Sequence, residues 1–216
     1  MKTILAYGDS LTYGANPTPG GPRHAYQDRW PTVLEAGLGG KVRVIAEGLG
    51  GRTTASDDWY ANADRNGARI LPTLLESHSP LDLVAIMLGT NDLKPAICGL
   101  SLEASFGMRR LVQIIRGHYA GKSETAPQIL LVAPPLICAT ENADMLGHFG
   151  GLQHAIDQSI QFGAHYARRA QEWDTGFFDA STVAVADPED GVHLDAKNTR
   201  AIGEGLVPVV KSMLGL

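Results

Sequence analysis

A serine near one end of this chain and an aspartate–histidine pair near the other have the residue types that nucleophilic catalysis needs. Ser10 stands in Tyr7-Gly8-Asp9-Ser10-Leu11-Thr12, directly after the apolar run Thr3-Ile4-Leu5-Ala6-Tyr7. A hydroxyl is a weak nucleophile until a base takes its proton. Asp190-Gly191-Val192-His193 offers that base. A carboxylate three residues before a histidine can fold back onto Nδ1–H, fixing the tautomer and leaving Nε2 for the serine. Gly191 permits the tight loop this demands. Acyl transfer also needs donors aimed at the developing oxyanion. The N–H of Ser10, a backbone N–H from the run Gly48-Leu49-Gly50-Gly51 and the side-chain amide of Asn91 suit that role.

Each of these residues has a plainer reading by itself. A serine after a strand caps a helix, a glycine pair makes a tight turn, and Asn91-Asp92 makes an Asx turn. The other six histidines have such accounts too. His24 and His148 fall in predicted loops, His78 and His118 near predicted helix ends, and His154 and His165 within a predicted helix. The case for chemistry therefore rests on the elements bringing the residues together.

Apolar runs bounded by glycine read as buried strands. Strands are predicted over 3–7, 42–46, 81–88, 128–133 and 176–179. Helical spacing is predicted over Trp30 to Leu38, Ala68 to Ser77, Leu102 to Tyr119, Leu152 to Trp173, and a final helix capped by Asp195. Pro72 fits only near a helix start, and Pro208 is expected to kink the last helix. Strands alternating with helices predict an α/β fold, a five-stranded parallel sheet covered on both faces. In such a sheet the ends of the strands that lead to Ser10, Gly51 and Asn91 share one edge. No linker or repeat divides the chain, so residues 1–216 read as one domain.

Composition excludes other classes. The formal net charge is -5, and Lys and Arg are scattered, which is not the footprint of a nucleic-acid binder. No run approaches the roughly 20 apolar residues of a membrane helix. The first residues lack the apolar core of a secretory signal, and a cytoplasmic protein is expected. Cys98 and Cys138 read as buried free thiols. The Asp and His residues have no compact ligand spacing, so neither a metal nor another cofactor is expected. No phosphate-loop pattern is completed at Gly48 to Gly51, and no G-x-S-x-G elbow is present.

Four blocks together resemble the SGNH hydrolases, also called GDSL esterases and lipases. They are Gly8-Asp9-Ser10-Leu11, the glycine-rich block ending in Gly51, Gly89-Thr90-Asn91-Asp92 and Asp190-Gly191-Val192-His193, in the family's order and spanning almost the whole chain. The fuller phrases around the first three look like the bacterial arylesterase and acyltransferase branch, which is similar to carbohydrate acetylesterases. The resemblance implies a three-layer α/β/α, flavodoxin-like sandwich with strand order 2-1-3-4-5. It implies Ser10 as nucleophile and oxyanion donor, Gly51 and Asn91 as the other donors, His193 as base and Asp190 as its orienter. Gly50 is the alternative backbone donor; the family's register favours Gly51. One position departs from the pattern: Glu47 stands where an Asn often precedes the glycines, which leaves the support of that loop open.

The expected function is a serine esterase acting on short-chain, acetyl-type esters of aryl, alkyl or sugar alcohols through an acyl-enzyme, with acyltransferase activity as a second outlet. The alternative is a non-catalytic carbohydrate- or nucleotide-binding module on the same fold. The branch also implies a homo-oligomer, dimer or larger, with Gly14 to Pro22 and Ile137 to Gly151 as candidate contact or pocket-rim segments.

Overall fold

The computed structural model describes all 216 residues. Five strands form one parallel sheet: β1 (Lys2–Gly8), β2 (Val42–Gly48), β3 (Leu83–Met87), β4 (Gln128–Ala133) and β5 (Gly176–Asp179), in the order β2-β1-β3-β4-β5. This is the expected order. Parallel neighbours need crossovers, and the helices supply them. They are α1 (Ser10–Tyr13), α2 (Trp30–Gly37), α3 (Gly67–His78), α4 (Ser101–Tyr119), α5 (Ala143–His148), α6 (Gln153–Ser159), α7 (Phe162–Glu172) and α8 (Ala196–Leu214).

The strands are apolar throughout because both faces are covered. On β1, Ile4 and Ala6 point to a core shared with Trp30 and Leu34 of α2 and with Ile202, Leu206 and Val210 of α8. Leu5 and Tyr7 point the other way, toward Leu71 of α3, Met108 and Leu111 of α4, and Phe162 of α7. This period-two division repeats on β3, where Leu83, Ala85 and Met87 face one core and Val84 and Ile86 the other. All five β3 side chains are fully buried. Each large aliphatic among them contributes about 1.5–3 kcal/mol by leaving water.

Several expectations change. The helix predicted from Leu152 to Trp173 is two helices, α6 and α7, separated at Ile160-Gln161. Ile160, at the break, is 58% exposed. The break follows from side chains anchored elsewhere. Ser159 Oγ accepts from the N–H of Ile137 and donates back to the Ile156 carbonyl, while Gln158 Oε1 accepts from Ser101. Pro72 lies in the middle of α3 rather than near its start. His148 belongs to the short helix α5 rather than a loop. Pro208 is accommodated within an unbroken α8, which is capped by the Asp195 side chain as expected. Cys98 and Cys138 are free but half-buried, each donating to a backbone carbonyl. No helix is long and apolar enough to cross a membrane.

Candidate active site

The C-terminal edges of β1, β2 and β3 meet as expected, and the register explains why. Gly8 pairs with Gly48 on one side and with Met87 on the other, so the three strands end level. Beyond these ends the chain turns sharply. Asp9 caps α1 by accepting the Leu11 N–H at 3.0 Å, which sets Ser10 at the first position of the helix. Two glycines make the turn possible. A Cβ on Gly8 would lie 2.0 Å from Thr12 Oγ1, and one on Gly48 would lie 2.2 Å from the backbone nitrogen of Tyr13. Trp30 Nε1 donates to Thr12 Oγ1 and ties the turn to α2.

Ser10 Oγ lies 3.0 Å from His193 Nε2, although the two residues are 183 positions apart. His193 Nδ1 lies 2.5 Å from Asp190 Oδ2. Facing a carboxylate, Nδ1 carries the proton, and Nε2 is left to accept from the serine hydroxyl. Asp190 is held in turn: its Oδ1 accepts from the N–H groups of Val192 and His193 at 2.9 and 2.8 Å. Burial raises the Asp190 carboxyl, but its hydrogen bonds and the His193 charge outweigh that and hold it below the usual carboxylate value. Gly191 has φ +77, and a Cβ there would meet the Cys138 carbonyl at 2.5 Å. That position requires glycine.

The loop after β2 runs beside Ser10. The Arg52 N–H closes a turn onto the Leu49 carbonyl, with Gly50 and Gly51 between them and Gly51 at φ +80. The backbone N–H groups of Ser10, Gly50 and Gly51 donate to no backbone carbonyl. Asn91 sits in the 3₁₀ turn after β3, where its Nδ2 donates to the Arg52 carbonyl at 3.2 Å and, at 3.4 Å, toward Asp9 Oδ2. Ser10, Gly51, Asn91 and His193 line one cleft of about 530 Å³.

The support left open by Glu47 has a clear source. The Glu47 side chain turns away to His78 at 2.9 Å. Arg52 holds the loop instead, its guanidinium donating to the Gly8 carbonyl at 2.8 Å and to the Glu47 carbonyl while lying 4.3 Å over the Tyr7 ring. Asp92 pins the same loop from β3 by accepting from the N–H and hydroxyl of Thr54 at 2.9 and 2.6 Å.

Several residues of the site carry no sequence signal of their own. Arg65, Lys94, Met145, His148 and Phe149 all line the cleft with the serine. His24 is buried, and its Nε2 donates to the Leu194 carbonyl at 2.8 Å, fastening the Pro/Gly loop to the backbone beside His193. A second cavity of about 470 Å³ adjoins the first, sharing Tyr13, Met145, His148 and His193 with it, and is rimmed by Asn16, Thr18, Arg23, Asn142 and Asp144. The segments 14–22 and 137–151 thus form rims, as one of their two expected roles.

The arrangement fits serine chemistry, and comparison with known proteins gives the family. The family model for GDSL-like Lipase/Acylhydrolase matches residues 6–200. The chain belongs to this family. It is similar over its full length to a carbohydrate acetylesterase family member from Sinorhizobium meliloti, with 52% identity, 100% of both chains covered and a TM-score of 0.95. A second carbohydrate acetylesterase from Sinorhizobium meliloti shares 35% identity, with 99% of this chain and 100% of that one covered and a TM-score of 0.91. The aryl esterase of M. smegmatis shares 36%, with 99% and 100% covered and a TM-score of 0.92. No curated protein matches.

Proposed function

We propose that this SGNH-type carboxylic ester hydrolase cleaves short-chain esters, acetyl esters first, through an acyl-enzyme on Ser10. The single observation behind the assignment of roles is the continuous line from Ser10 Oγ through His193 to the Asp190 carboxylate, at 3.0 and 2.5 Å. As Oγ attacks the acyl carbon, His193 Nε2 takes its proton and Asp190 stabilises the imidazolium. The carbonyl oxygen becomes an anion held by the N–H groups of Ser10 and Gly51 and by Asn91 Nδ2, which gives up its long 3.4 Å contact to Asp9 Oδ2 to do so. The carbon–oxygen bond to the alcohol then breaks, and His193 returns the proton to the departing alkoxide. Water, activated by the same histidine, attacks the acyl-enzyme and releases the acid.

Since His193 protonates the leaving group, the alcohol lies on its side of the cleft. There the polar rim of Asn16, Arg23, Asn142 and Asp144 supports a hydroxylated alcohol, as in a sugar acetate. An alcohol bound in that cavity would compete with water for the acyl-enzyme, which is the basis of the acyltransferase reading. The whole site lies within one unit, residues 1–216, built around one sheet.

Hydrolysis of 4-nitrophenyl acetate tests the assignment. Ser10→Ala should lose on the order of 10⁴-fold or more in kcat. Equal turnover by wild type and variant would return the site to the rival reading, a non-catalytic carbohydrate- or nucleotide-binding module.

A further inference from the structure

The cleft around Ser10 has an uneven charge. Arg65 and Lys94 both line it, and no aspartate or glutamate does, although the chain as a whole carries a net charge of -5. Neither cation is in an ion pair. Lys94 is half-buried, follows directly on the turn that holds Asn91, and has only the Phe149 ring, at 6.0 Å, under its ammonium. Arg65 donates to Asn62 Oδ1 at 3.2 Å. Its Nε lies 3.1 Å from where a Cβ on Gly51 would stand, so the guanidinium is against the candidate oxyanion loop. Burial pushes the Lys94 ammonium below its ordinary value, as does Arg65, while Asp58, Asp9 and Asp92, all outside the cleft lining, pull it back. Asp58 itself accepts from the Tyr60 N–H. Two half-buried cations that line the cleft outside any ion pair, with no carboxylate in the same lining, make a place for an anionic group.

Position says which part of the substrate carries it. Arg65 and Lys94 line the cavity that holds Gly51 and Asn91 and are absent from the adjoining one. With the carbonyl oxygen in the oxyanion site and the alcohol beside His193, the remaining direction belongs to the acyl chain. We propose that Arg65 and Lys94 bind an anionic group on the acyl portion, so that half-esters of short dicarboxylic acids are substrates. This rests on the Ser10 acyl-enzyme reading and specifies its acyl side. The rival role for the same charges is to stabilise the oxyanion of every ester alike.

The test compares mono-4-nitrophenyl glutarate with its neutral five-carbon counterpart, 4-nitrophenyl valerate, after subtracting uncatalysed hydrolysis. A parallel pair, 4-acetoxybenzoate and its methyl ester, places the charge on the alcohol instead. Wild type should turn over the glutarate at least as well as the valerate. The glutarate-to-valerate ratio of kcat/KM should fall roughly three- to tenfold in Lys94→Met and in Arg65→Met. It should fall further in Lys94→Glu, and in wild type it should decline as salt rises. Thermal melting of each variant separates a folding defect from a change of preference. A ratio that does not move, because both esters suffer equally, overturns the proposal in favour of oxyanion stabilisation. A change confined to the 4-acetoxybenzoate pair overturns the acyl assignment. Ser10→Ala is run on both esters: if it matched wild type, the acyl-enzyme reading would fall and take this proposal with it.

Discussion

Asp9 and Asp92 are fully buried behind the serine, and neither takes part in the proposed proton transfers. Burial lifts the Asp92 carboxyl to about 7, against hydrogen bonds from Thr54 that lower it. Burial likewise lifts Asp9 to about 6, opposed by the Leu11 N–H and by His193, Arg52 and Lys94. Both exceed the ordinary unfolded value of about 3.9. The folded chain therefore holds protons that the unfolded chain releases, and these two groups lower stability as pH rises from about 4 to about 7. Asp190 has the opposite sign, since its lowered value adds stability above the unfolded value and loses it in stronger acid. Asp92→Asn keeps an oxygen for the Thr54 N–H and removes one titration. Its melting temperature should decline less than wild type's between pH 4 and 7; parallel slopes would contradict this. At this scale Ser10, Asp190, His193 and Asn91 were legible because each follows glycine or a turn at a strand or loop end. Arg65, Lys94 and His148 were not, because irregular segments and a six-residue helix give no period from which to read direction.

Among the elements, the strand ends carry the site, and their glycines are set by contact rather than by flexibility. Gly48 belongs to β2, and its missing side chain lets the first turn of α1 lie against that strand. Gly48→Ala would press a methyl group onto the backbone of Thr12 and Tyr13, which no rotamer can relieve. Denaturant unfolding should show a loss of about 1–3 kcal/mol, together with a fall in esterase activity as Ser10 shifts. Gly50→Ala is the control, since open space surrounds that position, and it should stay within about 0.5 kcal/mol of wild type. Strand positions could be read from apolar runs because burial on both faces leaves an unbroken signal, as in Leu83–Met87. The division of α6 from α7 could not. No glycine or proline marks Ile160-Gln161, and the cause lies in Ser101 and Ile137, distant in sequence.

For the whole molecule, one surface feature stands apart. Trp59 and Tyr60 are adjacent and 84% and 90% exposed, on the loop that leads to Arg65 at the cleft. Large aromatics this exposed are favoured anchors of protein interfaces. This supports the proposal of a homo-oligomer, for which the resemblance was the first ground. Size-exclusion chromatography with light scattering should give a dimer or larger, and Trp59→Ala with Tyr60→Ala should shift it toward monomer. A monomeric wild type would refute it. In the sequence a homo-oligomer was legible only through the resemblance, and nothing singled out Trp59 and Tyr60, because a loop aromatic looks alike whether it is buried by its own chain or by a neighbour.

Ser10 and His193 touch across 183 residues of chain. The nucleophile is in place as soon as β1 has neighbours, yet its base arrives on the last loop before α8. A chain still emerging from the ribosome, with residues 190–193 not yet made, holds a Ser10 without its proposed base. On the proposed mechanism, hydrolysis needs both ends of the chain to be folded together.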